Sequence, residues 1–295
     1  MGIIRENILM VYYITGITGF IGQNLSQYLG KRVVGVNLRK QEPLVFEKGA
    51  AVVHLAGKAH DVKKTSANSE YFVVNTELTK KVFDAFLASE AGVFVFMSTV
   101  KALEGKEIGA SAYSQSKYQA EEYILAQKVP PGKRVYILRP VMVHGPGNKG
   151  NLNLLFGVVK RLGIWPLAAF DNKRSFVSVE NLCFVVKALI DNKQVASGVY
   201  VVADEEALST NELVALAGEA LQKKVAFWKI PKGLVYLLAK LGDVLPLPLN
   251  SERLEKLTEN AVVDASPLLK ALGIKSLPLR TLDGFKKTFD SFVNE

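Results

Sequence analysis

The chain has 295 residues, of which 49% are hydrophobic and 22% charged, a globular composition that excludes a disordered or collagen-like protein. Its single cysteine, Cys183, cannot form an internal disulfide, which excludes a disulfide-stapled secreted scaffold and favours a cytoplasmic protein. The formal net charge is +9, but the basic residues are scattered, so we expect small phosphorylated ligands rather than nucleic acid.

The sequence also disfavours metal-binding, membrane-spanning and secreted proteins. Three histidines and one cysteine at unrelated spacings do not predict a zinc site, so we expect no metal. No apolar run approaches the roughly 18–20 residues of a membrane span, and the N-terminus lacks the features of a signal peptide. The length predicts one large domain with an annex, or two intimate domains.

The first 140 residues alternate apolar runs with helical stretches. The runs are continuous in Val, Ile, Leu, Phe and Tyr, which is typical of strands buried on both faces of a parallel sheet. This alternation predicts an α/β fold with a doubly wound parallel sheet, a Rossmann fold. The predicted strands are Ile8–Ile14, Arg32–Val36, Ala51–Ala56, Val93–Met97 and Arg134–Leu138; the predicted helices are Phe20–Leu29, about Tyr71–Ser89, and Tyr113–Gln127.

The pattern changes after Pro140. A helix near Val179–Ile190 and a strand Val199–Ala203 are the last regular α/β elements, and Ser209 with Glu212 has the spacing of a capping box. The remainder predicts short helices broken by prolines. We therefore expect a dinucleotide-binding domain at 1–145, with 174–203 returning to it, and a smaller, mainly helical substrate-binding region formed by 146–173 and 204–295.

Three glycines follow the first strand at intervals of three residues: Gly16, Gly19 and Gly22. Between a strand and a helix this spacing is typical of a dinucleotide fingerprint, because glycines allow a tight turn and close approach of the backbone to a pyrophosphate. The helix N-terminus, with Phe20 and Ile21, then offers free N–H groups. An ordinary glycine-rich turn is the alternative, and the position at the first strand favours dinucleotide binding.

The end of the second strand distinguishes between two dinucleotides. An acidic residue there binds the ribose 2′-hydroxyl of NAD, whereas an arginine accommodates the 2′-phosphate of NADP. Here Asn37 occupies the acidic place and Arg39 and Lys40 follow. Asparagine can donate to a phosphate and arginine can pair with it, so we favour NADP over NAD. Solvated loop charges are the alternative interpretation.

Tyr113 and Lys117 are four residues apart, on one face of the predicted helix. A tyrosine hydroxyl with an ordinary pKa near 10 becomes a useful acid–base only beside a cation, which Lys117 supplies. Ser98 and Thr99 end the fourth strand, at the sheet edge where such folds bind ligands. Tyr236 and Lys240 have the same spacing without that context, and we interpret them as helix packing with a snorkelling lysine.

Together these motifs resemble the extended short-chain dehydrogenase/reductase family, in its nucleotide-sugar branch. The resemblance covers almost the whole chain. Its motifs are Gly16-x-x-Gly19-x-x-Gly22, His54-Leu-Ala-Gly57, Asn75, Ser98-Thr99, Tyr113-x-x-x-Lys117, Arg139-Pro140, Gly145-Pro-Gly147, Arg174-Ser-Phe-Val-Ser-Val179 and Asp264-Ala-Ser266.

The resemblance implies roles for individual residues. Tyr113 is expected to be the acid–base, Lys117 to assist it, and Thr99, with Ser98, to hold the substrate hydroxyl. Residues expected along the cofactor are Leu55, Ala56, Gly57, Asn75, Pro140 and Val143, together with Tyr113 and Lys117. Residues expected at the nucleotide diphosphate are Asn151, Leu152, Ala168 to Phe170 through their backbone, Arg174, and more weakly Arg253; for His54, His60 and His144 polar packing is an equal alternative.

Two departures from the family pattern bear on the reaction. Val100-Lys101 stand where 4,6-dehydratases carry Asp-Glu, so dehydration is not expected. The Asn37/Arg39 pair favours an enzyme that exchanges NADPH. We therefore expect an NAD(P)-dependent oxidoreductase that acts at C4 of a nucleotide-diphosphate sugar, and first of all a reductase of a UDP-4-keto-6-deoxy-2-acetamido sugar in surface-polysaccharide synthesis. The alternatives are a UDP-sugar 4-epimerase and, in another class, a non-catalytic NADP sensor; the family also implies a homodimer through the Tyr113 helix.

Overall fold

The structure is a computed structural model, and it describes residues 10–40, 42–59, 68–148, 150–245 and 249–294. The chain divides into two compact units. The first unit comprises the chain up to Pro140, with Leu182–Val202 and Pro267–Ile274, and the second comprises Val141–Asn181, Ala203–Ser266 and Lys275–Glu295.

A six-stranded parallel sheet forms the centre of the first unit, which confirms the predicted α/β fold. The strand order is β2-β1-β3-β4-β5-β9. The chain therefore winds outward in opposite directions from β1, and the strand order reverses between β1 and β3. The bounds are β1 Tyr12–Thr15, β2 Val33–Val36, β3 Ala51–His54, β4 Val93–Met97, β5 Arg134–Pro140 and β9 Gly198–Val202.

The strand ends differ slightly from their predicted positions, for physical reasons. β3 ends at His54 rather than Ala56, because the N–H groups of Leu55 and Ala56 donate to the side chain of Thr15. β5 continues two residues past its predicted end, because Pro140 is still in register with Val202 of β9. The predicted start of β1 at Ile8 lies outside the described residues.

Helices of the first unit follow the predicted pattern, with one irregularity. The predicted helix near Tyr71–Ser89 contains a π-helical segment, Phe72–Glu77, which holds Asn75. Ser111 caps the helix that carries Tyr113, since its Oγ accepts the Ser114 N–H at 3.1 Å, and the helix begins at Ala112. The helices are α1 Phe20–Leu29, α2 Asn68–Tyr71, α3 Leu78–Ala88, a 3₁₀ helix Val100–Lys106, α4 Ala112–Ala126 and α10 Ser266–Leu272.

The second unit is mainly helical around small two-stranded pairings. Phe176, Phe285 and Phe289 lie at the centre of its core, and the predicted capping box of Ser209 and Glu212 is formed. Its strands are β6 Met142–His144, paired with β8 Phe176–Ser178, and β7 Ile164–Trp165, paired with β10 Ala226–Phe227. The helices are α5 Asn151–Leu162, α7 Thr210–Ala220, α8 Lys232–Val244, α9 Ser251–Thr258 and α11 Thr281–Val293. A further helix, α6 Val179–Asp191, begins in the second unit and belongs to the first unit from Leu182 onward.

Two features are absent from the described ranges, a membrane-spanning helix and a cluster of metal-binding side chains. None of the helices there is both long and apolar enough to cross a membrane. Nor does that part of the chain bring three or more His, Cys, Asp or Glu side chains together in a group that could hold a metal ion.

Candidate functional site

The glycine turn lies at the carboxyl end of β1, at the reversal of strand order where open α/β sheets bind ligands. Gly16 has a φ of +67°, a conformation that L side chains rarely adopt, and a Cβ there would come within 2.7 Å of the Ala56 nitrogen. A Cβ at Gly22 would lie 2.3 Å from the Gly16 carbonyl oxygen. Both glycines are therefore required by close backbone packing, which makes the cradle that a dinucleotide fingerprint needs.

Helix α1 begins directly after this turn. Gly19 is its N-cap, with an extended backbone and no side chain over the first turn, and no acidic residue lies in that turn. The N–H groups of Phe20 and Ile21 are thus at the positive end of the helix dipole, unopposed by a carboxylate. These residues fit a pyrophosphate, so the observed turn suits the predicted dinucleotide.

Asn37 and Arg39 lie just beyond the end of β2 and are both exposed. The Arg39 N–H donates to the Asn37 Oδ1 at 3.0 Å, so the side-chain oxygen of Asn37 stabilises its own turn. The amide NH₂ of Asn37 remains the donor end of the side chain. This position therefore carries a donor and a cation and no carboxylate.

Behind the turn, His54 is fully buried between two threonines. Its Nδ1 is 2.7 Å from Thr15 Oγ1, and its Nε2 is 3.0 Å from Thr79 Oγ1, which itself donates to the Asn75 carbonyl. Burial, with a smaller contribution from Lys117, lowers the pKa of His54 to about 3. His54 is thus a neutral packing residue that fixes the loop after β3.

Asn75 is the buried connection between that loop and helix α4. Its Oδ1 accepts the Lys58 N–H at 2.7 Å, and its Nδ2 donates to the Lys58 carbonyl and to Ser116 Oγ, both at 3.0 Å. A Cβ at Gly57 would lie 3.1 Å from the Asn75 Oδ1. Asn75 therefore positions the segment Leu55–Gly57 against the helix that carries Tyr113.

Tyr113 and Thr99 are brought together at the carboxyl end of β4. Thr99 directly follows β4 and caps the 3₁₀ helix, accepting the Lys101 N–H at 3.3 Å. Its side chain interacts with the Tyr113 hydroxyl, an interaction that lowers the pKa of Tyr113, and the ring of Tyr71 packs edge-on to Tyr113 at 6.4 Å. Burial raises the pKa of Tyr113 despite the Thr99 interaction, so its hydroxyl is protonated near neutral pH.

Lys117 lies one turn after Tyr113 and is only 5% exposed. Its Nζ donates to the Met97 carbonyl at 2.8 Å and lies 4.7 Å from the centre of the Phe96 ring. Burial lowers the pKa of Lys117 to about 8, against an opposing effect of Glu121. A lysine with that pKa is mostly protonated at pH 7, so a positive charge is held beneath the loop of Gly57, whose added Cβ would be 3.2 Å from Nζ.

A buried ionic network beneath Ser98 was missed by the sequence analysis. Glu121, on α4, is 1% exposed and accepts hydrogen bonds from the Arg139 Nε, at 3.0 and 3.1 Å to its two oxygens, from the Arg139 Nη2 at 2.5 Å, and from Ser98 Oγ. The pair ties helix α4 to strand β5, and Ser98, the residue before Thr99, bonds to the same carboxylate. Ser98 is therefore engaged within the fold, and the spacing of Glu121 and Arg139 in the sequence gave no signal of this pairing.

In the second unit, several residues that were predicted to contact the nucleotide lie in the hydrophobic core. The side chains of Leu152, Ala168 and Phe170 are buried there. The N–H groups of Ala168 and Phe170 are bonded to the carbonyls of Trp228 and Leu167, and their own carbonyls accept from Asn211. Val143 is half-buried in β6, and Asn151 is the first residue of α5.

Arg174 is a largely buried arginine. Its Nη1 donates to the Lys256 carbonyl at 2.6 Å and its Nη2 is 4.0 Å from Glu259, while burial lowers its pKa. Arg253 lies in the first turn of α9, where its N–H donates to Asn250. The Arg174 guanidinium thus already bonds to the end of α9, with one carboxylate nearby.

Three further residues were considered in the sequence: His144, His60 and Tyr236. His144 is buried, with its Nδ1 2.9 Å from Thr288 Oγ1 and its ring stacked 3.8 Å from Phe285, which is core packing. His60 lies outside the described residues. Tyr236 is half-exposed on α8 and packs edge-on against Phe170 at 5.8 Å.

Comparisons with known proteins agree with this geometry. The sequence model of the NAD-dependent epimerase/dehydratase family matches residues 12–203. A UDP-glucose 4-epimerase of Vibrio cholerae is 31% identical to this chain, over 95% of the chain and 94% of the relative. An N-acetyl-alpha-D-glucosaminyl-diphospho-ditrans,octacis-undecaprenol 4-epimerase of Escherichia coli O157:H7 is 26% identical, over 82% and 80% of the two chains.

A solved structure matches over nearly the whole chain. The UDP-glucuronic acid 4-epimerase of Bacillus cereus, in complex with NAD, has a TM-score of 0.71 and 17% identity and covers 97% of this chain and 99% of its own. At that identity the match shows the fold alone. The family, by contrast, is shown by the sequence model and by the Vibrio relative, and it confirms the resemblance: the chain belongs to the NAD-dependent epimerase/dehydratase family.

Proposed function

We propose that this protein is a UDP-sugar 4-epimerase that uses a nicotinamide dinucleotide. The observation that carries the proposal is its 31% identity, over 95% of the chain, to a UDP-glucose 4-epimerase. The second relative is also a 4-epimerase of a sugar diphosphate. These comparisons favour the 4-epimerase, which the sequence analysis treated as the alternative, over the 4-ketoreductase that it put first.

The geometry around Tyr113 supports acid–base chemistry at the sugar 4-hydroxyl. In this proposal Tyr113 accepts the proton of the C4 oxygen and later returns it, while Thr99 holds that oxygen through the hydroxyl that now contacts Tyr113. Accepting a proton requires the tyrosinate, which burial disfavours, so Lys117 has the task of stabilising it one turn away. The neutral tyrosine of the structure is the form that returns the proton.

The dinucleotide is assigned to the glycine turn and the segment Leu55–Gly57. When bound there, it supplies the redox chemistry at C4. Gly16, Gly19 and Gly22 would let the backbone approach its pyrophosphate, and Lys117, with Tyr113 and Asn75, would hold its nicotinamide end. Pro140 and Val143 complete the predicted set. The donor and cation at Asn37 and Arg39 support NADP over NAD.

The second unit is assigned to the nucleotide diphosphate. Arg174 is the principal anchor, because a buried guanidinium next to a single carboxylate has charge to offer a diphosphate. Arg253 is a second candidate for the same group. In this proposal Leu152 and Phe170 contact the base through apolar surface. The N–H and the carbonyl of Phe170 are already bonded to Leu167 and Asn211, so hydrogen bonds from this backbone to the base are not assigned.

The proposal is tested by product analysis. Purified protein is incubated with NAD or NADP and with UDP-glucose or UDP-N-acetylglucosamine, and the C4 configuration of the sugar is followed by proton NMR. We expect conversion to the C4 epimer with either substrate or both, with no net change in the absorbance of the reduced nicotinamide. Absence of the epimer with both sugars and both dinucleotides contradicts the assignment.

Reduction of a UDP-4-keto-6-deoxy-2-acetamido sugar is the second candidate function. The observation that favours it is the Asn37/Arg39 pair, since a reductase must bind fresh NADPH in each turnover. The two reactions are distinguishable with the same protein, because a reductase consumes one NADPH for each 4-keto sugar. Stoichiometric loss of NADPH absorbance with the 4-keto sugar, and no epimerisation of UDP-sugars, identifies the reductase.

A further inference from the structure

The second unit exposes an apolar stripe along helix α8. Six large apolar side chains on α8 and at its end are between 43% and 86% exposed. They are Leu234, Leu237, Leu238, Leu241, Val244 and Leu245, and we name them the α8 stripe. Monomeric proteins rarely leave a contiguous apolar surface of this kind to water, so the α8 stripe indicates a binding surface.

Helical geometry places the stripe away from the core. The buried positions of α8 are Val235 and Ala239, four residues apart. At about 100° per residue, the stripe residues fall within an arc of roughly 120° that contains no polar residue and does not overlap the buried positions. The sequence predicted that this segment packs in the interior. In the structure only Val235 and Ala239 are buried, and the leucines are exposed.

The chain just before α8 adds exposed aromatic and basic residues. Phe227 and Trp228 are 41% and 53% exposed. Five lysines lie between residues 223 and 245, against one acidic residue, Asp243, which bonds to the N–H and hydroxyl of Ser251. All five are exposed, and they are Lys223, Lys224, Lys229, Lys232 and Lys240.

We propose that the α8 stripe, with Phe227, Trp228 and these lysines, is a docking surface for an anionic lipid bilayer. An exposed apolar helix face, preceded in the chain by exposed aromatic and basic residues, is the combination found in helices that lie in the plane of a membrane interface. The leucines enter the acyl boundary, the rings lie at the headgroups, and the lysines meet the lipid phosphates. The helix has 13 residues, too few to span a bilayer, so it binds in the plane.

Charge argues against a second copy of this chain as the occupant. In a twofold dimer the same surface patch meets itself, so Lys240, which lies next to the stripe on the helix, would approach Lys240 of the second copy, and the rest of this lysine-rich segment would be brought toward its own copy. Like charges at that distance repel, whereas an anionic headgroup layer neutralises them. The lysines of this segment therefore favour an anionic bilayer over a second copy of this chain as the partner of the α8 stripe.

Vesicle sedimentation tests the proposal. The full-length protein is mixed with phosphatidylcholine vesicles, or with vesicles in which about a third of the lipid is anionic phosphatidylglycerol. We expect sedimentation with the anionic vesicles, weakened by added salt, and little with the neutral ones. No sedimentation with anionic vesicles, or equal sedimentation with both, overturns the proposal.

Two variants separate the apolar and the charged contributions. Leu237→Glu with Leu241→Glu removes two stripe leucines in favour of a good helix former, and should lower vesicle affinity more than about tenfold for each leucine. Lys224→Gln with Lys229→Gln should lower it roughly fivefold for each lysine, with anionic vesicles only. The matched control is Val45→Glu with Val293→Glu, two exposed valines outside this surface, which should sediment like the parent.

The Leu237/Leu241 variant also tests the rival occupant, a second copy of this chain. If the Leu237/Leu241 variant sediments like the parent, the stripe is not the membrane contact and the proposal fails. It also fails if light scattering shows that the parent is a dimer, the Leu237/Leu241 variant is a monomer, and neither sediments with anionic vesicles. Because vesicle binding is measured without turnover, the outcome is independent of the enzymatic assignment.

Discussion

The Oγ1 of Thr15, at the end of β1, lies 2.7 Å from the Nδ1 of His54, at the end of the neighbouring strand β3. The same oxygen accepts the N–H groups of Leu55 and Ala56, both at 3.1 Å, so its hydroxyl hydrogen is free to donate to His54. On the other side of the ring, Thr79 donates its hydrogen to the Asn75 carbonyl and must accept from His54 Nε2. The neutral imidazole with hydrogen on Nε2 satisfies every group in this chain of contacts.

This arrangement predicts acid sensitivity of the fold. The pKa of His54 is about 3 in the folded chain and 6.5 ordinarily, so between these values only the unfolded chain takes up the proton. The stabilising contribution is complete above pH 6.5 and is lost as the pH falls toward 3, by up to about 1.4 kcal/mol of unfolding free energy per pH unit. Urea unfolding of the parent and of His54→Gln from pH 7 to pH 4 measures it. The difference in unfolding free energy between the parent and His54→Gln should decrease as the pH falls. A difference that stays constant with pH would mean that His54 does not titrate in this way.

The glycine turn gives a prediction with an internal control. Gly16 and Gly30 both have left-handed backbones, with φ of +67° and +78°, but only an added Cβ at Gly16 meets other atoms. Gly30→Ala should cost about 1–2 kcal/mol in stability for backbone strain and leave dinucleotide affinity within about twofold. Gly16→Ala should cost more and weaken dinucleotide binding at least about tenfold. Calorimetric titration of both variants with the dinucleotide measures this difference. Equal dinucleotide affinity of Gly16→Ala and Gly30→Ala would mean that the glycine turn is not part of the cofactor site.

The dinucleotide preference depends on the residues after β2. Asn37→Asp with Arg39→Ala replaces the donor and cation by a carboxylate, which repels a 2′-phosphate and accepts from a 2′-hydroxyl. NADP affinity should fall by about 1.5–3 kcal/mol, roughly tenfold to over a hundredfold, while NAD affinity holds or rises. Titration calorimetry with both dinucleotides measures this change. Tighter binding of NAD than NADP by the parent would remove the preference and weaken the case for a reductase.

Arg174 is expected to bind the diphosphate of the substrate. Arg174→Ala should weaken UDP binding by about 1.5–3 kcal/mol and leave dinucleotide binding almost unchanged. Because the side chain also bonds to the Lys256 carbonyl, Arg174→Lys is included to retain the charge and should recover part of the affinity. Arg280→Ala, at an exposed arginine of the same unit, is the control. Unchanged UDP affinity in Arg174→Ala would make this residue a brace of α9 only.

The sequence predicts those parts of the site that depend on local spacing. The continuous apolar strands, the glycine interval and the Tyr113–Lys117 interval each follow from the periodicity of one element, and each lies where it was expected. The ends of the elements are less predictable, because they depend on partners far along the chain. The Thr15 side chain, which takes the N–H groups after β3, is 40 residues away from them.

Long-range burial explains what the sequence could not indicate. Glu121 reads as an ordinary solvated helix charge, yet it is buried against Arg139 because two elements fold together. The reverse applies to α8. Its apolar residues read as packing, but no sequence pattern states which apolar face will meet the core, and the leucines remain exposed.

The assignment of Tyr113 as the acid–base group is tested most directly by removing one oxygen. Tyr113→Phe keeps a ring that can pack against Tyr71 and takes away the only hydroxyl proposed to move a proton at C4. Tyr236→Phe is the control, since Tyr236 is also four residues before a lysine but lies on α8, in the second unit.

The measurement is the epimerisation rate of the parent and both variants, with dinucleotide affinity determined on the same samples. Turnover of Tyr113→Phe should fall by about 10²–10⁴ with dinucleotide affinity retained, and that of Tyr236→Phe should be unchanged. A Tyr113→Phe protein that still binds the dinucleotide and turns over like the parent would contradict the mechanism.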